Sequence, residues 1–345
     1  MKTPALHRPP ASPALIEVFR TRAGASGMLR FDTFMELALY HPQVGYYVRD
    51  RPRVGRGNGT DFYTATSSGS LFGELVVAAC MKLLTGDDPS AFTFVELGAE
   101  PGGGILKNVS HPFAAAKCIR IGEPLALSGR LIVFSNELFD AQPLRRFIFR
   151  EGLWRELGVR LDAGGNLSEI EIDPARDSGL GAPSTLDLPV ETPLPATTSD
   201  GYHIDLPLSA RSLAEKIAAE PWRGLFVAFD YGKSWRELTE VTPQGTARAY
   251  HQHTQSNDLL ATPGEQDLTG HVCWDWLASA LTAGGFASHT IESQESFFIH
   301  HAGDFIAGTV SSEATRLSPR KLSLMQLLHP ANMGQKFQVL HGLRK

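Results

Sequence analysis

The sequence predicts an α/β fold built on a largely parallel sheet, and three short apolar runs carry that prediction. Phe92–Leu97, Leu131–Phe134 and Leu225–Phe229 are brief apolar stretches, each followed by polar or acidic residues. Apolar runs of that length, without clean alternation, read as strands buried on both faces. The first leads into Gly98–Gly104 (GAEPGGG), the second into Ser135–Pro143 (SNELFDAQP) and the third into Asp230–Lys233 (DYGK). Ligands of such sheets lie off the carboxyl ends of the strands, so these three tails form the candidate site. The glycines let a backbone approach a ligand closely at a helix N-terminus. A tight strand-to-helix turn that serves no ligand is the competing reading.

The remaining elements follow in chain order. Residues 14–40 read as two helices, and His41–Tyr47 (HPQVGYY) as a turn. Arg49–Gly59 is a basic, glycine-rich loop. Gly69–Leu84 places apolar residues at 71, 72, 75, 76, 79 and 83, a helical spacing, with Gly86 as its stop. Ala116–Gly122 (AKCIRIG) reads as the strand after the glycines. Residues 145–173 alternate around the turn Asp162–Asn166 (DAGGN), which predicts an antiparallel hairpin. Residues 174–200, rich in Pro, Thr, Ser and Asp, read as a loop or flap. Ser212 and Glu215 are placed for a capping box near the start of a helix reaching Ala219. Thr269 is placed to cap a helix carrying Val272, Trp276, Ala280 and Leu281 on one side and ending at Gly284–Gly285. The expected organisation is a disordered lead-in at 1–15, a helical region with a lid loop at 16–90, and a core at 91–345 interrupted by an insertion at about 145–208. That insertion is either packing or a substrate-covering subdomain.

Composition narrows the functional classes. At 345 residues with 42% hydrophobic content, the chain has material for a sizeable core. A net charge of −5 argues against a nucleic-acid surface, which needs clustered basic charge. Three scattered cysteines, Cys80, Cys118 and Cys273, form neither a disulfide framework nor a zinc pattern, so a reducing, cytoplasmic setting is expected. No apolar run approaches a membrane span. The first sixteen residues lack acids and contain Lys2, His7 and Arg8, but they are proline-broken and have no apolar h-region. His251–His253 and His300–His301 lack sequence neighbours that would complete a metal site, and no metal is assigned.

Eight segments, in order across roughly 300 residues, resemble one family. They are FMELALYHPQVGYY (Phe34–Tyr47), GTDFYTATS with FGEL (Gly59–Ser67, Phe72–Leu75), VELGA (Val95–Ala99), SNELFDAQP, FDYG (Phe229–Gly232), PGEQDLTGHV (Pro263–Val272), QESFF (Gln294–Phe298) and HPANMGQKF (His329–Phe337). The chain is thereby identified as a member of the MidA-like methyltransferases, which are linked to assembly of respiratory complex I as protein arginine methyltransferases. The resemblance implies a Rossmann-like class I methyltransferase sheet, S-adenosylmethionine as cofactor and a protein substrate, with a respiratory complex subunit as the candidate. It implies that Glu96, Gly98, Gly102 and Gly104 surround the cofactor, that Glu123 meets ribose hydroxyls, and that Asp61 and Thr64, with Ser67, belong to a lid over it. At the end of the neighbouring strand, Asn136, Glu137 and Asp140 are the candidate catalytic residues, since carboxylates can orient a guanidinium. Each also has a structural reading as a cap or turn residue. Asp230, Tyr231, Gln266, Asp267 and His271 share that ambiguity.

Two departures from the pattern fall on the cofactor site. Glu100–Pro101 interrupts the glycines, either as an outward bulge or with Glu100 aimed at the cofactor. Only Pro124–Arg130 separate the second strand from the next; seven residues span at most about 25 Å. A parallel crossover with a helix needs a dozen or more. The sheet is therefore expected to lack one edge helix-strand unit. These departures motivate a rival function, a catalytically degenerate assembly or scaffolding factor. A nicotinamide oxidoreductase is disfavoured, because the glycine spacing is not G-x-G-x-x-G and Glu96 precedes the turn.

Overall fold

A computed structural model describes residues 11–49, 69–173, 188–190, 192–312 and 318–345. In chain order the elements are α1 (Pro13–Ala23), β1 (Met28–Arg30), α2 (Phe31–Tyr40), α3 (Ser70–Leu83), β2 (Thr93–Leu97), β3 (Ala115–Ile119), β4 (Gly129–Asn136), β5 (Arg145–Arg150), β6 (Leu153–Leu161), β7 (Leu167–Glu171) and β8 (His203–Leu206). There follow α4 (Leu208–Ala219), β9 (Trp222–Asp230), β10 (Gly232–Lys233), α5 (Trp235–Glu240), β11 (Arg248–His251), β12 (Thr254–Ser256), β13 (Asp267–Thr269), β14 (Val272–Cys273), α6 (Trp274–Ala283), β15 (Ser288–Ser293), α7 (Gln294–Ser312), α8 (Pro319–Leu328) and β16 (Gln338–Arg344).

The main sheet has six strands in the order β15-β16-β9-β4-β2-β3. The four strands β3, β2, β4 and β9 are parallel, and β16 and β15 add antiparallel pairs. Alternation within the strands divides the core. Phe94, Phe134, Val227 and Phe229 face α3, α7 and α8, while Val95, Leu97, Val133, Phe226 and Ala228 face α4 and α6. β2, β4 and β9 are thus covered on both faces, which is why their sequences read as runs rather than as alternations.

β2 is flanked by β3 and β4 and lies second from the edge; β4 and β9 occupy the centre. Among the described residues nothing pairs beyond β3, and residues 120–128 contain a turn and extended chain with no helix or strand.

A second, five-stranded antiparallel sheet contains β1, β5, β6, β7 and β8. β1 pairs with β6 (Leu29 opposite Val159), so the N-terminal helices and the insertion share one core, in which Phe19, Phe31, Phe34 and Leu39 meet Val159 and Leu167. The buried Arg146 guanidinium pairs with Asp205, whose carboxylate accepts from the Thr246 and Ala247 amides. That tie fixes the start of β11 to β8 of the second sheet.

Local expectations were revised at three helix starts. α4 begins at Leu208 with no side-chain cap, four residues before Ser212, so Ser212 and Glu215 are interior. A reciprocal capping box occurs instead at Ser234 and Glu237 of α5. Thr269 caps nothing: it lies in β13, and α6 starts after Cys273. α1 begins at Pro13, inside the expected lead-in, with Ser12 as its cap.

Candidate active site

A cleft of 1580 Å³ opens where β2, β4 and β9 end, walled by the glycine loop, by Tyr40 and Tyr47, and by Arg248, Tyr250, Asp267, Thr269 and His271. This is the carboxyl-end position that parallel topology predicts.

The glycine loop forms one wall without starting a helix; residues 99–114 run as turns and extended chain. The expected helix N-terminus is therefore absent, and the loop is held by its own bonds. Glu100 to Gly103 form a tight turn closed by the Gly103 amide on the Glu100 carbonyl (3.0 Å), with Pro101 and Gly102 exposed at its tip. Lys107 Nζ donates to the Gly102 carbonyl at 2.8 Å. Glu96 is buried and accepts from the Ile105 amide at 2.6 Å; burial pushes its carboxyl up to about 7 against that bond.

The glycines have distinct reasons. Gly98 adopts φ 75°, and a Cβ there would meet Leu138 Cδ1 at 2.8 Å; a Cβ on Gly104 would collide with the Glu96 carboxylate. Gly102 has ordinary φ and, among the described residues, nothing within 4 Å of a Cβ added there, so none of them requires a glycine at this position. The Glu100–Pro101 alternatives both hold in part. The backbone bulges outward, yet Glu100 lines the cleft and its charge raises the Glu137 carboxyl.

The opposite wall is acidic. The Glu137 amide continues the sheet ladder to the Phe229 carbonyl (2.9 Å), and Glu137 takes a left-handed φ of 51°, rare for a side chain of its size. Burial first, then the charges of Asp140, Asp267 and Glu100, push its carboxyl up to about 8, opposed by a 2.9 Å bond from Asn136 Nδ2. Burial also raises Asp140 to about 6 against a bond from the Tyr231 hydroxyl. Asn136 Oδ1 and Asp140 Oδ1 are buried acceptors with no hydrogen-bond partner among the described residues.

Asp230 lies underneath and does not line the cleft. Its carboxylate accepts from the Phe139 (2.9 Å), Asp140 (3.3 Å) and Tyr231 (2.9 Å) amides, shaping the turn that presents Glu137 and Asp140. Asp267 faces the cleft from β13 and accepts from the Tyr47 hydroxyl at 3.0 Å, so capping is not its role. Tyr47 stacks on Tyr40, which donates to the Ala141 carbonyl at 2.8 Å. Gln266 is buried among backbone carbonyls of 258 and 259. His271 lines the cleft as a neutral imidazole, its pKa lowered to about 4 by burial and by Lys233 and Arg248.

The structure thus brings Gly98, Gly102, Gly104, Glu96, Asn136, Glu137 and Asp140 to one cleft. It does not bring Glu123 there. That side chain is exposed and accepts from the Arg120 amide at 2.8 Å, and the nearby cleft wall is Arg120 and Ile121. Asp61 and Thr64, with Ser67, lie outside the described residues. Sequence reasoning passed over the tyrosine wall. Its signal is present in the Phe34–Tyr47 segment, which reads as the end of a helix followed by a turn rather than as a surface.

A fold with this strand order, a glycine loop after β2 and an acidic wall after β4 defines a Rossmann-like methyltransferase. A family model described as "Putative S-adenosyl-L-methionine-dependent methyltransferase" matches residues 114–291. The chain belongs to this family, the MidA-like methyltransferases, and S-adenosylmethionine is its cofactor. It is 26% identical to the zebrafish (Danio rerio) "Protein arginine methyltransferase NDUFAF7, mitochondrial", over 91% of this chain and 83% of the relative. It is also 26% identical to the Drosophila melanogaster homologue of that protein, over 75% and 68%. Two crystal structures from Burkholderia thailandensis share the fold at 23% identity, with TM-scores of 0.78 and 0.74 and coverage of 96% of this chain and 92% and 91% of theirs; the first holds S-adenosyl-homocysteine.

The residues present fit the cofactor at the glycine loop, where Gly98 lines the cleft and Gly102 leaves backbone open to it. The fit is thinner at the ribose end, where no acid of the 120–128 segment lines the cleft.

Proposed function

We propose that the protein methylates arginine side chains of a protein substrate at the acidic wall. The observation that carries this reading is the set of unpaired acceptors, Asn136 Oδ1 and Asp140 Oδ1, beside Glu137. A guanidinium offers five donors in a fixed fork and one positive charge, which answers both deficits. The relatives named as protein arginine methyltransferases support the reading.

Bound S-adenosylmethionine supplies an electrophilic methyl group on a sulfonium. The chain's part is to hold the acceptor nitrogen in line with it, which can contribute several kcal/mol. Glu137 and Asp140 orient the guanidinium, and Tyr40, Tyr47 and Tyr231 wall its planar faces. Glu137 then receives the proton that nitrogen loses on methylation. A carboxyl that titrates near 8 in the free cleft is close to neutrality, so it can accept and release that proton. The short 120–128 link is read as loss of an edge unit, with Arg120 and Ile121 left to wall that end.

The test is transfer of labelled methyl groups to protein acceptors, followed by hydrolysis and amino-acid analysis. Label in methylarginines is expected. Label on lysine or histidine refutes the arginine assignment. Tight S-adenosylmethionine binding with no transfer to any acceptor supports the scaffolding reading instead.

A further inference from the structure

The fold supplies His301 with partners that its neighbourhood in sequence lacks. Glu292 on β15 and His341 on β16 are diagonal neighbours on one sheet face, since Thr290 pairs with His341. α7 starts directly after β15 and doubles back over this edge, bringing His301 above both. Both imidazoles aim Nε2 at the same oxygen: His301 lies 3.0 Å and His341 3.1 Å from Glu292 Oε1. His300 Nδ1 holds the other carboxylate oxygen at 2.7 Å. Beside this group α7 departs from helical geometry, at Ala302 (φ −127°, ψ 17°).

We propose that Glu292, His301 and His341 bind a divalent transition cation of the zinc class, which pins α7 to the β15–β16 edge. One donor atom from each lies within 4.8 Å of the others. Around a tetrahedral cation with bonds of about 2.0–2.2 Å, neighbouring donors are about 3.3–3.6 Å apart, so small side-chain shifts open the site. Two imidazoles and a carboxylate are a zinc-type donor set. The side chains are 10% (His341), 13% (Glu292) and 20% (His301) exposed, enough to leave one face for a solvent ligand. His300 acts as a positioning residue, orienting the carboxylate through its second oxygen. None of the four lines the methyl-transfer cleft, so the cation's role is structural.

The experiment uses the full chain without added histidines, stripped with chelator and titrated with cobalt(II) while visible absorption is recorded. Saturation at one equivalent is expected, with the intense bands of a low-coordinate ion that zinc bleaches. His301→Ala, at a partly exposed helical position, should weaken binding more than about a hundredfold, and His300→Ala about tenfold to a hundredfold. Glu292→Gln keeps size and shape and serves as the second variant should His301→Ala fail to fold. Zinc should raise the melting temperature of the parent but not of these ligand variants. Absence of saturable binding, or binding that survives His301→Ala or Glu292→Gln, overturns the proposal and leaves a hydrogen-bonded staple.

Discussion

Replacing Glu137 by Gln separates the chemistry of the acidic wall from its cost to the fold. The substitution keeps the side chain's size, and the Asn136 contact can reform by an amide rotation. Its carboxyl rises from an ordinary 4.5 to about 8 in the folded cleft. At about 1.36 kcal/mol per pH unit this is on the order of 5 kcal/mol, and solvent in the open cleft trims it to ~2–4 kcal/mol. The folded protein holds a proton that the unfolded chain has released, so this contribution is fully present below about 4.5. It is lost as pH rises through about 8. Glu137→Gln has no such loss. It should melt near the parent temperature at pH 5 and several degrees higher at pH 9, while methyl transfer falls by a hundredfold or more. Thermal melts at the two pH values, with transfer rates at saturating cofactor, measure both effects. An equal shift in melting temperature at both pH values would show that Glu137 does not titrate in this window. Transfer at the parent rate would refute its catalytic assignment.

Four further outcomes follow from the same geometry. Parent kcat/KM should rise with pH toward a plateau above about 8, and Glu100→Gln should move that rise to lower pH by removing a neighbouring charge; an unmoved profile argues that Glu100 does not reach the cleft. Gly102→Val should leave the melting temperature within about a degree, since no described residue lies near it, yet weaken S-adenosylmethionine binding in calorimetry. Gly104→Ala should instead lose ~1–3 kcal/mol of stability in denaturant unfolding through collision with Glu96, and parent stability would mean that the loop yields. Asp230→Ala should cost ~2–3 kcal/mol and most of the transfer activity, although Asp230 lines no part of the cleft, because three amides lose their acceptor.

Much of the site was legible because its residues sit at fixed offsets from strong strand signals. Glu96, Asn136, Glu137 and Asp140 are strand-end residues, and parallel strands that start together end together. Glu123 shows the limit of that logic. Its offset from the glycines suits a ribose contact, but β3 stops at Ile119 and a turn spends the carboxylate on Arg120. Asp267 and Thr269 were misplaced for a similar reason. A polar residue before an apolar helix reads as a cap, whereas here a short strand pairs with β11 first.

The sequence by itself determined the buried strands, the helices of regular spacing and the order of motifs, since apolar periodicity and glycine placement act over a few residues. Tertiary structure alone decided the pairing of β1 with β6, the hydrogen bond of Tyr47 to Asp267 in the cleft wall, and the meeting of Glu292 with His301 and His341. It also decided how far each carboxyl departs from its ordinary pKa. Those outcomes depend on which distant segments exclude water from one another, and no local pattern encodes that exclusion.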